Sequence, residues 1–237
     1  MESYNPSFSA DRKKIVYTGW DGNDTEIYTV KATGGRPFQV TDNSTDDSGP
    51  SWAPNGKQIA YTCSDGDSSE ICTIHPDGGG KTKVTKGANP SWSPNGNKIA
   101  YSAWDGNDSE IYTVKATGGG KFNVTKNDTA DYYPDYSPNG NKIVYAARNT
   151  NDEYDEDIRT IKATGGKPFQ VTLNRWVEFD PSWSPNGKQI AFTRYSDSDL
   201  PNEAAAVYKV AADGGSEILV TDNNGTGALY PSWGSRP

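Results

Sequence analysis

The sequence has one histidine and two cysteines, and it contains no long apolar run. No stretch approaches the roughly 18 consecutive apolar residues that a membrane-spanning helix needs, so we expect no membrane insertion. The 23 basic residues are outnumbered by 31 acidic ones, which gives a net charge of −8. That balance argues against nucleic acid as a partner, because its phosphates require basic side chains. Met1–Ala10 lacks the basic and apolar regions of a signal peptide. The protein is therefore either cytoplasmic, or exported with its signal upstream of this sequence.

Catalytic signatures are also missing. The sequence contains no G-x-S-x-G elbow, no H-E-x-x-H motif and no phosphate-binding G-x-x-x-x-G-K-[ST] loop. The single histidine, His75, falls in a predicted turn between strands, and neither cysteine has a histidine suited to form a dyad with it. Paired carboxylates are uninformative here because acidic residues are so abundant. We therefore expect a protein that is not an enzyme.

One segment recurs throughout the chain. The stretch SWSPNGNKIAY at 91–101 returns at 51–61, 135–145 and 182–192, with a diverged copy at 7–17 and the start of another at 231–237. The prolines that head these copies, at 6, 50, 90, 134, 181 and 231, lie 40 to 50 residues apart. A repeat of this length is typical of solenoids, arrays and propellers. We place the repeat units at about 5–48, 49–88, 89–132, 133–179 and 180–229, with a partial unit at 230–237, in one domain over residues 1–237.

Each unit carries four short strand signals. A Pro-Ser-Trp segment is followed by an Asn-Gly turn, a β-branched and aromatic run such as IAYS (99–102), a segment such as EIYTV (110–114), and a strand such as FNVT (122–125). No stretch shows a helical period. Four antiparallel strands per repeat describe propeller blades. We predict an all-β propeller with five complete blades plus the first strand of a further repeat. The alternative is a six-bladed propeller truncated in its last blade.

These recurring segments resemble the TolB-type β-propeller repeat, whose signature is Pro-x-Trp-Ser-Pro-Asp-Gly-Lys-x-Ile-Ala-Phe. The similarity extends over nearly the whole chain. One recurrent position differs, because Asn55, Asn95, Asn139 and Asn186 stand where the family has aspartate, a change that still suits the turn. The resemblance implies a periplasmic or secreted propeller that acts as an interaction module, sometimes fused to a hydrolase domain, for which this sequence shows no counterpart.

The loops at the two ends of the strands differ in character. The Asn-Gly turns and the KATGG-type turns share one end, which we call the scaffold face, because they hardly change between units. The other end carries the WDGND-type turns, the long connections and the acidic run at 152–157, and we call it the variable face. Binding sites usually lie on variable loops held by a rigid framework. The candidate ligand-binding residues on this face are Trp20, Asp21, Trp104, Asp105, Tyr132, Tyr133, Arg175, Trp176 and Tyr195.

Two further features concern covalent and metal chemistry. Cys63 and Cys72 flank a predicted tight turn, and a register that places them directly opposite each other permits a disulfide, while two reduced thiols are the alternative. The DGND turns are rich in oxygen ligands that Ca2+ prefers, but the EF-hand pattern is absent, and Asp and Asn are common in turns for local reasons. We predict no cofactor, and Ca2+ is the one metal that the oxygen-rich turns would suit.

Three functional hypotheses follow from this pattern. The first is a non-enzymatic propeller that binds a protein or peptide partner through its acidic and aromatic variable face. The negative charge of this face favours a basic partner. The second is a carbohydrate-binding or glycan-degrading propeller in which Trp20, Trp104 and Trp176 stack on sugar rings. The third is a repeat fragment without activity of its own.

Overall fold

The computed structural model describes residues 3–64, 68–149, 155–195, 205–221 and 229–233. This part of the chain consists of strands, turns and extended segments, and it contains no helix that could cross a bilayer. The strands in chain order are β1 (Ser3–Phe8), β2 (Lys14–Trp20), β3 (Thr25–Lys31), β4 (Phe38–Gln39), β5 (Asp47–Trp52), β6 (Ile59–Ser64), β7 (Ser69–Ile74), β8 (Thr82–Lys86), β9 (Ala88–Trp92), β10 (Lys98–Trp104), β11 (Ser109–Lys115), β12 (Phe122–Asn123), β13 (Asp131–Tyr136), β14 (Lys142–Arg148), β15 (Glu156–Lys162), β16 (Phe169–Gln170), β17 (Val177–Trp183), β18 (Gln189–Tyr195), β19 (Ala206–Ala211) and β20 (Ile218–Leu219).

Successive groups of four strands form antiparallel sheets, which we number as blades one to five in chain order. The predicted all-β fold with four-stranded antiparallel units is confirmed. Blades four and five differ from a purely antiparallel arrangement, because one parallel bridge between Glu156 and Val177 joins them. The cause is local: the backbone N–H of Glu156 donates to the carbonyl of Trp176, which precedes β17, at 3.3 Å.

The turn between the first two strands of a blade is closed by short polar side chains. In blade three, Asn95 accepts a hydrogen bond from the Ser93 hydroxyl and another from the Asn97 backbone N–H. Ser93 in turn accepts from the Lys98 backbone N–H across the turn. Gly96 has a φ of 71°, a left-handed value that costs glycine little. The same contacts surround Asn139 and Asn186, so the turn repeats with its side chains.

A bulge interrupts each first strand just before its proline. The pairing of β1, β5, β9, β13 and β17 with the following strand shifts register at this point. The residue before the proline has a left-handed φ between 49° and 59° in six copies: Asn5, Gly49, Asn89, Tyr133, Asp180 and Tyr230. A bulge bends a strand and redirects its side chains. We refer to these six as the pre-proline residues.

The hydrophobic core lies between blades. Trp52, Ile59 and Tyr61 of blade two pack against Val16 and Ile27 of blade one in one buried cluster. Equivalent clusters join blades two and three, three and four, and four and five. The recurring aromatics Trp92, Tyr136 and Trp183 occupy the same place in these clusters as Trp52, so the packing role that their fixed position predicts is confirmed.

Acidic side chains are buried at the variable end of the blades. In blade one, Glu26 accepts hydrogen bonds from the Thr41 hydroxyl and from the Asn43 backbone, and the Asn43 amide also donates to Asp47 of blade two. Glu110, Thr125, Asn127 and Asp131 repeat this network between blades three and four. The pKa of Glu26 is raised to about 7 and that of Asp131 to about 8, mainly by burial and in smaller part by the neighbouring acid in each network.

Cys63 and Cys72 form a disulfide between β6 and β7, with their Cα atoms 5.8 Å apart. The predicted register is wrong by two residues: Cys63 lies opposite Glu70, and Cys72 lies opposite Tyr61. The two cysteines are therefore diagonal neighbours on one face of the sheet. A disulfide can still join this diagonal pair, because the twist of the strands brings the residues of one diagonal closer together than those of the other.

Candidate functional site: the mouth of the central channel

The first strands of all repeats meet at the centre of the molecule. Six equivalent three-residue segments, each with proline at its middle, line a central cavity of about 160 Å³. They begin at the pre-proline residues Asn5, Gly49, Asn89, Tyr133, Asp180 and Tyr230. The bulge described above directs these residues inward, so the repeat places six side chains or backbone segments around one axis.

Asp180 is the only acid among the six pre-proline residues, and its neighbours in the ring order are Tyr133 and Tyr230. Its Oδ2 atom is shut off from solvent and accepts no hydrogen bond within the part of the chain that the structure describes. Burial raises the pKa of Asp180 to about 7. Burial, and to a smaller extent the Asp180 charge, also raises the pKa values of both tyrosines. A channel-lining carboxylate that has one oxygen without a donor and a tyrosine at each neighbouring position of the ring is suited to receive a cationic group.

Asp135 occupies the next level of the channel, and its contacts are structural. It accepts hydrogen bonds from the Ser91 hydroxyl at 2.9 Å and from the Trp183 backbone N–H at 2.8 Å. These partners belong to blades three and five, whereas Asp135 belongs to blade four. Burial raises its pKa to about 6. Because both carboxylate oxygens already have donors, Asp135 ties three blades together and leaves Asp180 as the available acid.

The channel opens on the variable face into a second cavity of about 350 Å³. Tyr4, Asp46, Tyr133 and Tyr230 are among the residues that line it. Tyr4 and Tyr230 lie with ring centroids 5.8 Å apart. The mouth therefore combines aromatic surface with the exposed carboxylate of Asp46 and the deeper carboxylate of Asp180.

Beside this mouth, Phe179 connects three of the predicted residues, Tyr132, Tyr133 and Tyr195, and Phe179 itself was not predicted as a site residue. Phe179 lies 6.3 Å from Tyr133 and 5.1 Å from Tyr195, and Tyr132 lies 6.2 Å from Tyr133, measured between ring centroids. The Arg148 guanidinium lies 6.0 Å from the Tyr132 ring. Tyr133 lines the channel, whereas Tyr195 is 45% exposed at the end of β18.

Trp20 and Trp104 lie elsewhere, at the ends of β2 and β10. We expected both residues in turns, but Trp20 pairs with Thr25 and Trp104 pairs with Ser109 on the opposite strand. The strands therefore extend beyond the β-branched segments from which they were predicted. Trp104 is 66% exposed. The next residues, Asp21 and Asp105, accept hydrogen bonds from the turn backbone at Asn23 and Asn107, so these carboxylates stabilise the turns.

Arg175 and Trp176 follow the last strand of blade four. Arg175 is exposed, and Trp176 is half-buried, with its backbone N–H donating to the Asn174 side chain at 2.8 Å. Neither lines the channel cavities described above. Residues 152–154 of the acidic run and residues 234–237 of the partial repeat lie outside the described residues.

Among the described residues of the variable face, two groups of carboxylates come close enough to share a cation. They are Asp21, Glu26 and Asp42 in blade one, and Asp105, Asp108 and Glu110 in blade three, with ligand atoms within 4.8 Å of one another. Most of these oxygens already accept protein hydrogen bonds: Glu26 and Glu110 from the threonine and asparagine of the buried networks, and Asp21 and Asp105 from the turns. We therefore interpret both groups as structural.

Asp180, Tyr230 and Tyr4 were not among the predicted site residues. The sequence did carry a signal for the first two, since each directly precedes the proline that heads a repeat. That position varies in chemistry, from Asn5 to Gly49 to Tyr133, whereas the following Pro-Ser-Trp is nearly constant. Variation at one position of an otherwise constant motif therefore indicates these residues as candidates for a binding site.

A sequence-family profile described as the TolB beta propeller domain matches residues 87–236, and no curated protein matches the sequence. Among solved structures, a putative TolB from Agrobacterium tumefaciens superposes with a TM-score of 0.81 at 22% identity, covering 98% of this chain and 86% of that chain. TolB from Acinetobacter baumannii superposes with a TM-score of 0.85 at 20% identity, covering 99% of this chain.

The present chain spans 58% of the length of the A. baumannii protein. An oligogalacturonate lyase from Vibrio parahaemolyticus also shares the architecture, with a TM-score of 0.64 at 13% identity, covering 92% of this chain and 64% of that chain. At these identities the structural similarities establish the fold. Together with the profile match over more than half of the sequence, they show that the chain belongs to the TolB β-propeller family.

Proposed function

We propose that this protein is a non-enzymatic propeller that binds a protein or peptide partner at the mouth of its central channel, on the variable face. In this proposal a lysine or arginine side chain of the partner enters between Tyr133 and Tyr230 and meets Asp180. The proposal refines the hypothesis of an acidic, aromatic binding face by locating the contact at the channel instead of on the outer loops.

The observation that carries the proposal is the unsatisfied Oδ2 of Asp180. A shielded carboxylate oxygen without a donor costs free energy, and Asp180 differs from the other buried acids with such an oxygen in that it lines the central channel. A bound cation supplies the missing donor and also lowers the pKa of Asp180 towards its ordinary range. The flanking tyrosine rings add a cation–π contribution of about 0.5–2 kcal/mol.

The test starts from a library of random dodecapeptides displayed on phage and selected against the protein. We expect the enriched peptides to contain lysine or arginine. Their affinity should fall at least tenfold, about 1.4 kcal/mol, for Asp180→Asn, because the amide keeps the shape but loses the charge. Tyr133→Ala should weaken binding as well. The measurement is a peptide titration by fluorescence anisotropy.

The matched control is Asp213→Asn, which removes an exposed aspartate on the scaffold face. It should leave peptide affinity unchanged, so that net charge alone does not explain the loss. Enriched peptides without basic residues, or equal binding by Asp180→Asn and the unaltered protein, would contradict the proposal.

A carbohydrate ligand is a second candidate function. It is favoured by Trp104, a largely exposed indole on the variable face beside the carboxylate of Asp105. An exposed aromatic plane next to a polar group is a common surface for stacking a sugar ring. This candidate places the ligand on the rim of blade three and not in the channel.

For location, we propose a periplasmic or secreted protein. The disulfide between Cys63 and Cys72 supports this proposal, because such bonds persist in oxidising compartments and are rare in the cytosol of mesophiles. Membership of the TolB family supports the same location.

A further inference from the structure

The net charge of −8 conceals a strong separation of charge between the two ends of the blades. The turns of the scaffold face hold 14 of the 23 basic residues and 4 of the 31 acidic ones, counted over residues 9–14, 31–37, 53–58, 75–81, 93–98, 115–121, 137–142, 162–168, 184–188 and 212–217. The rest of the chain therefore has 9 basic and 27 acidic residues. The scaffold face is a basic surface on an acidic protein.

The cations of the scaffold face point into solvent. Its lysines are all exposed, as is Arg36: Lys13, Lys14, Lys31, Lys57, Lys81, Lys98, Lys115, Lys121, Lys142, Lys162, Lys167 and Lys188. Among the described residues, the ion pairs engage Lys83, Arg148 and Arg194, which lie outside these turns. The positive charge of the face is therefore available to an anionic partner.

The turns of this face form one continuous surface. Each Asn-Gly turn lies against the proline of the corresponding turn in the preceding blade. A methyl group on the glycine would lie 3.5 to 3.8 Å from the proline ring in three successive pairs: Gly96 and Pro54, Gly140 and Pro94, and Gly187 and Pro138. Because these turns have the same length and the same internal hydrogen bonds, their lysines lie at one level around the ring.

Exposed aromatic rings follow the cations at the rim of this face. The fourth strand of three blades begins with a phenylalanine that is 40–50% exposed: Phe38 after Arg36, Phe122 after Lys121, and Phe169 after Lys167. The ring of Phe122 would lie 3.6 Å from a methyl group on Gly165, in the scaffold-face turn of blade four, and Phe169 stands in the same relation to Gly214 at 3.9 Å. These rings therefore lie at the level of the turns.

A cavity of about 820 Å³ opens on the scaffold face between blades four and five. Lys142 and Lys188 line it together with Pro138 and Pro185, and Asp213 is the one acidic residue among its described lining residues. The volume lies within the range of about 300–1,000 Å³ that is usual for small-molecule sites. Two cations beside apolar rings suit a phosphate that is attached to a less polar group.

We propose that the scaffold face docks on a bilayer that contains anionic phospholipids. Its lysines approach the lipid phosphates, the three rim phenylalanines enter the headgroup region, and the cavity between blades four and five receives one headgroup. This inference concerns the end of the blades opposite the channel mouth and does not depend on the proposed function. Docking in this orientation turns the variable face away from the bilayer.

The acidic remainder of the molecule does not prevent this contact. The central strands of blades one, three and four are seven residues long, which separates the two faces by about 23 Å at about 3.3 Å per residue. The Debye length is about 8 Å at physiological ionic strength. Salt therefore screens the carboxylates of the variable face from a bilayer that touches the scaffold face.

The arrangement of the cations favours a bilayer over a soluble polyanion. All five blades contribute cations at one level, so a planar surface contacts them together, whereas a polymer chain follows one line of charges. The exposed phenylalanines are also more useful at a bilayer, because their burial among lipids removes apolar surface from water.

The test is co-sedimentation of the protein with vesicles of phosphatidylcholine alone or with about one third phosphatidylglycerol. We expect saturable binding to the anionic vesicles at about 0.1 M salt, at least tenfold weaker binding at about 0.5 M, and none to phosphatidylcholine alone. An excess of inorganic phosphate at constant ionic strength should not release the protein, because the planar contact engages many lysines at once.

The double substitution Lys142→Gln and Lys188→Gln should weaken binding to the anionic vesicles at least tenfold, because it removes both cations of the cavity. Lys86→Gln with Arg175→Gln is the matched control. It removes two exposed cations from the variable end of the blades and should leave binding unchanged.

The aromatic contribution is tested separately. Phe38→Ser with Phe169→Ser should weaken vesicle binding several-fold and keep the preference for anionic lipid. The control is Leu173→Ser, since Leu173 is 81% exposed but lies at the variable end of blade four. It should bind like the unaltered protein.

Acetylation of lysines in the unaltered protein, measured by mass spectrometry, gives a readout free of folding effects. Anionic vesicles should protect Lys57, Lys115 and Lys162 and leave Lys86 reactive. Equal binding to both kinds of vesicle, equal protection of Lys86, or release by inorganic phosphate would overturn the proposal. Failure to bind anionic vesicles while dextran sulfate protects the same lysines would also overturn it, and would assign the face to a soluble polyanion.

Discussion

At the scale of single residues, the most unusual feature is an aspartate that favours the protonated form. Asp131 is fully buried, and its Oδ2 accepts a hydrogen bond from the Asn127 amide at 2.7 Å, while its Oδ1 has no partner within the described residues. Burial is the main cause that raises its pKa to about 8, and the nearby Glu110 adds to it. The folded state therefore binds a proton that the unfolded chain releases near pH 4.

This difference makes stability depend on pH. Between pH 4 and 8 the folded protein holds more protons than the unfolded chain, so the free energy of unfolding falls as pH rises through this window and levels off above it. Asp131→Asn removes the titrating group, and we expect it to flatten the curve and to stabilise the protein at pH 8.5 by about 1–3 kcal/mol. Urea unfolding at several pH values measures the effect.

The control for this experiment is Asp128→Asn, three residues away and exposed. It should reproduce the pH dependence of the unaltered protein. Parallel curves for Asp131→Asn and the unaltered protein would show that Asp131 is ionised in the folded state. Glu26, with a pKa raised to about 7, contributes a further fall in the same direction.

Some residues could be interpreted correctly from the sequence because their role is local. Asn95, Asn139 and Asn186 replace the family's aspartate, and all accept the same turn hydrogen bonds. Asp11 of blade one accepts the equivalent bonds from Ser9 and Lys13. An acceptor oxygen at this position is sufficient, and both residue types provide one.

At the scale of elements, the disulfide of blade two replaces an interaction that other blades make with aromatic rings. Tyr101 stacks on Tyr112 and Phe192 on Tyr208 across the second and third strands, with centroids 5.9 and 6.0 Å apart. Cys72 stands at the position of Tyr112, and Cys63 at that of Ala103. Blade two thus joins its two central strands covalently where its neighbours stack two rings.

The double substitution Cys63→Ala and Cys72→Ala tests how much this disulfide contributes to stability. It should lower the free energy of unfolding by about 2–3 kcal/mol, the value expected for closing a short loop, without changing the fold. Alanine fits at position 63 because Ala103 and Ala147 occupy the equivalent site. Thermal unfolding with and without a reductant measures this loss of stability. The reductant should shift the melting temperature of the unaltered protein and leave that of the double variant unchanged.

A melting temperature of the unaltered protein that does not respond to reduction would contradict the prediction.

The register of these strands could not be predicted from the sequence. The strands themselves were predictable, since residues such as Ile99 and Tyr101 alternate with β-forming neighbours. Their pairing was not, because the length and shape of the intervening turn fix the register, and one altered turn moves Cys72 from opposite Cys63 to opposite Tyr61.

At the scale of the whole molecule, the repeat predicted the architecture but not the channel mouth that we propose as the binding site. Each blade is encoded within about 45 residues, so its strands and packing aromatics are visible in one unit. The channel is made by six units together, and Asp180, Tyr133 and Tyr230 are separated by about 50 residues each. Their convergence depends on a bulge that recurs at the same place in each first strand. Trp104 and Asp105, in contrast, could be named as candidates from the sequence because their WDGND segment is visible within a single repeat.

The charge of the molecule distinguishes the two ligand classes. With a net charge of −8 and the carboxylates of Asp46 and Asp180 at the channel mouth, a basic peptide is attracted before contact. Raising the salt from about 0.1 M to 1 M shortens the Debye length from about 10 Å to about 3 Å. We expect the association rate of a selected basic peptide to fall about tenfold over this range, with a smaller change in its dissociation rate.

Stopped-flow anisotropy measures both rates, and Asp46→Asn should reduce the salt dependence because Asp46 is an exposed charge at the entrance. A sugar stacked on Trp104 behaves differently, since stacking on an indole involves no net charge and should persist at 1 M salt. Binding that is independent of salt and is abolished by Trp104→Ala would therefore exclude the channel as the site and place the ligand on blade three. Binding that weakens with salt and requires Asp180 places it at the channel mouth, where the six repeats meet.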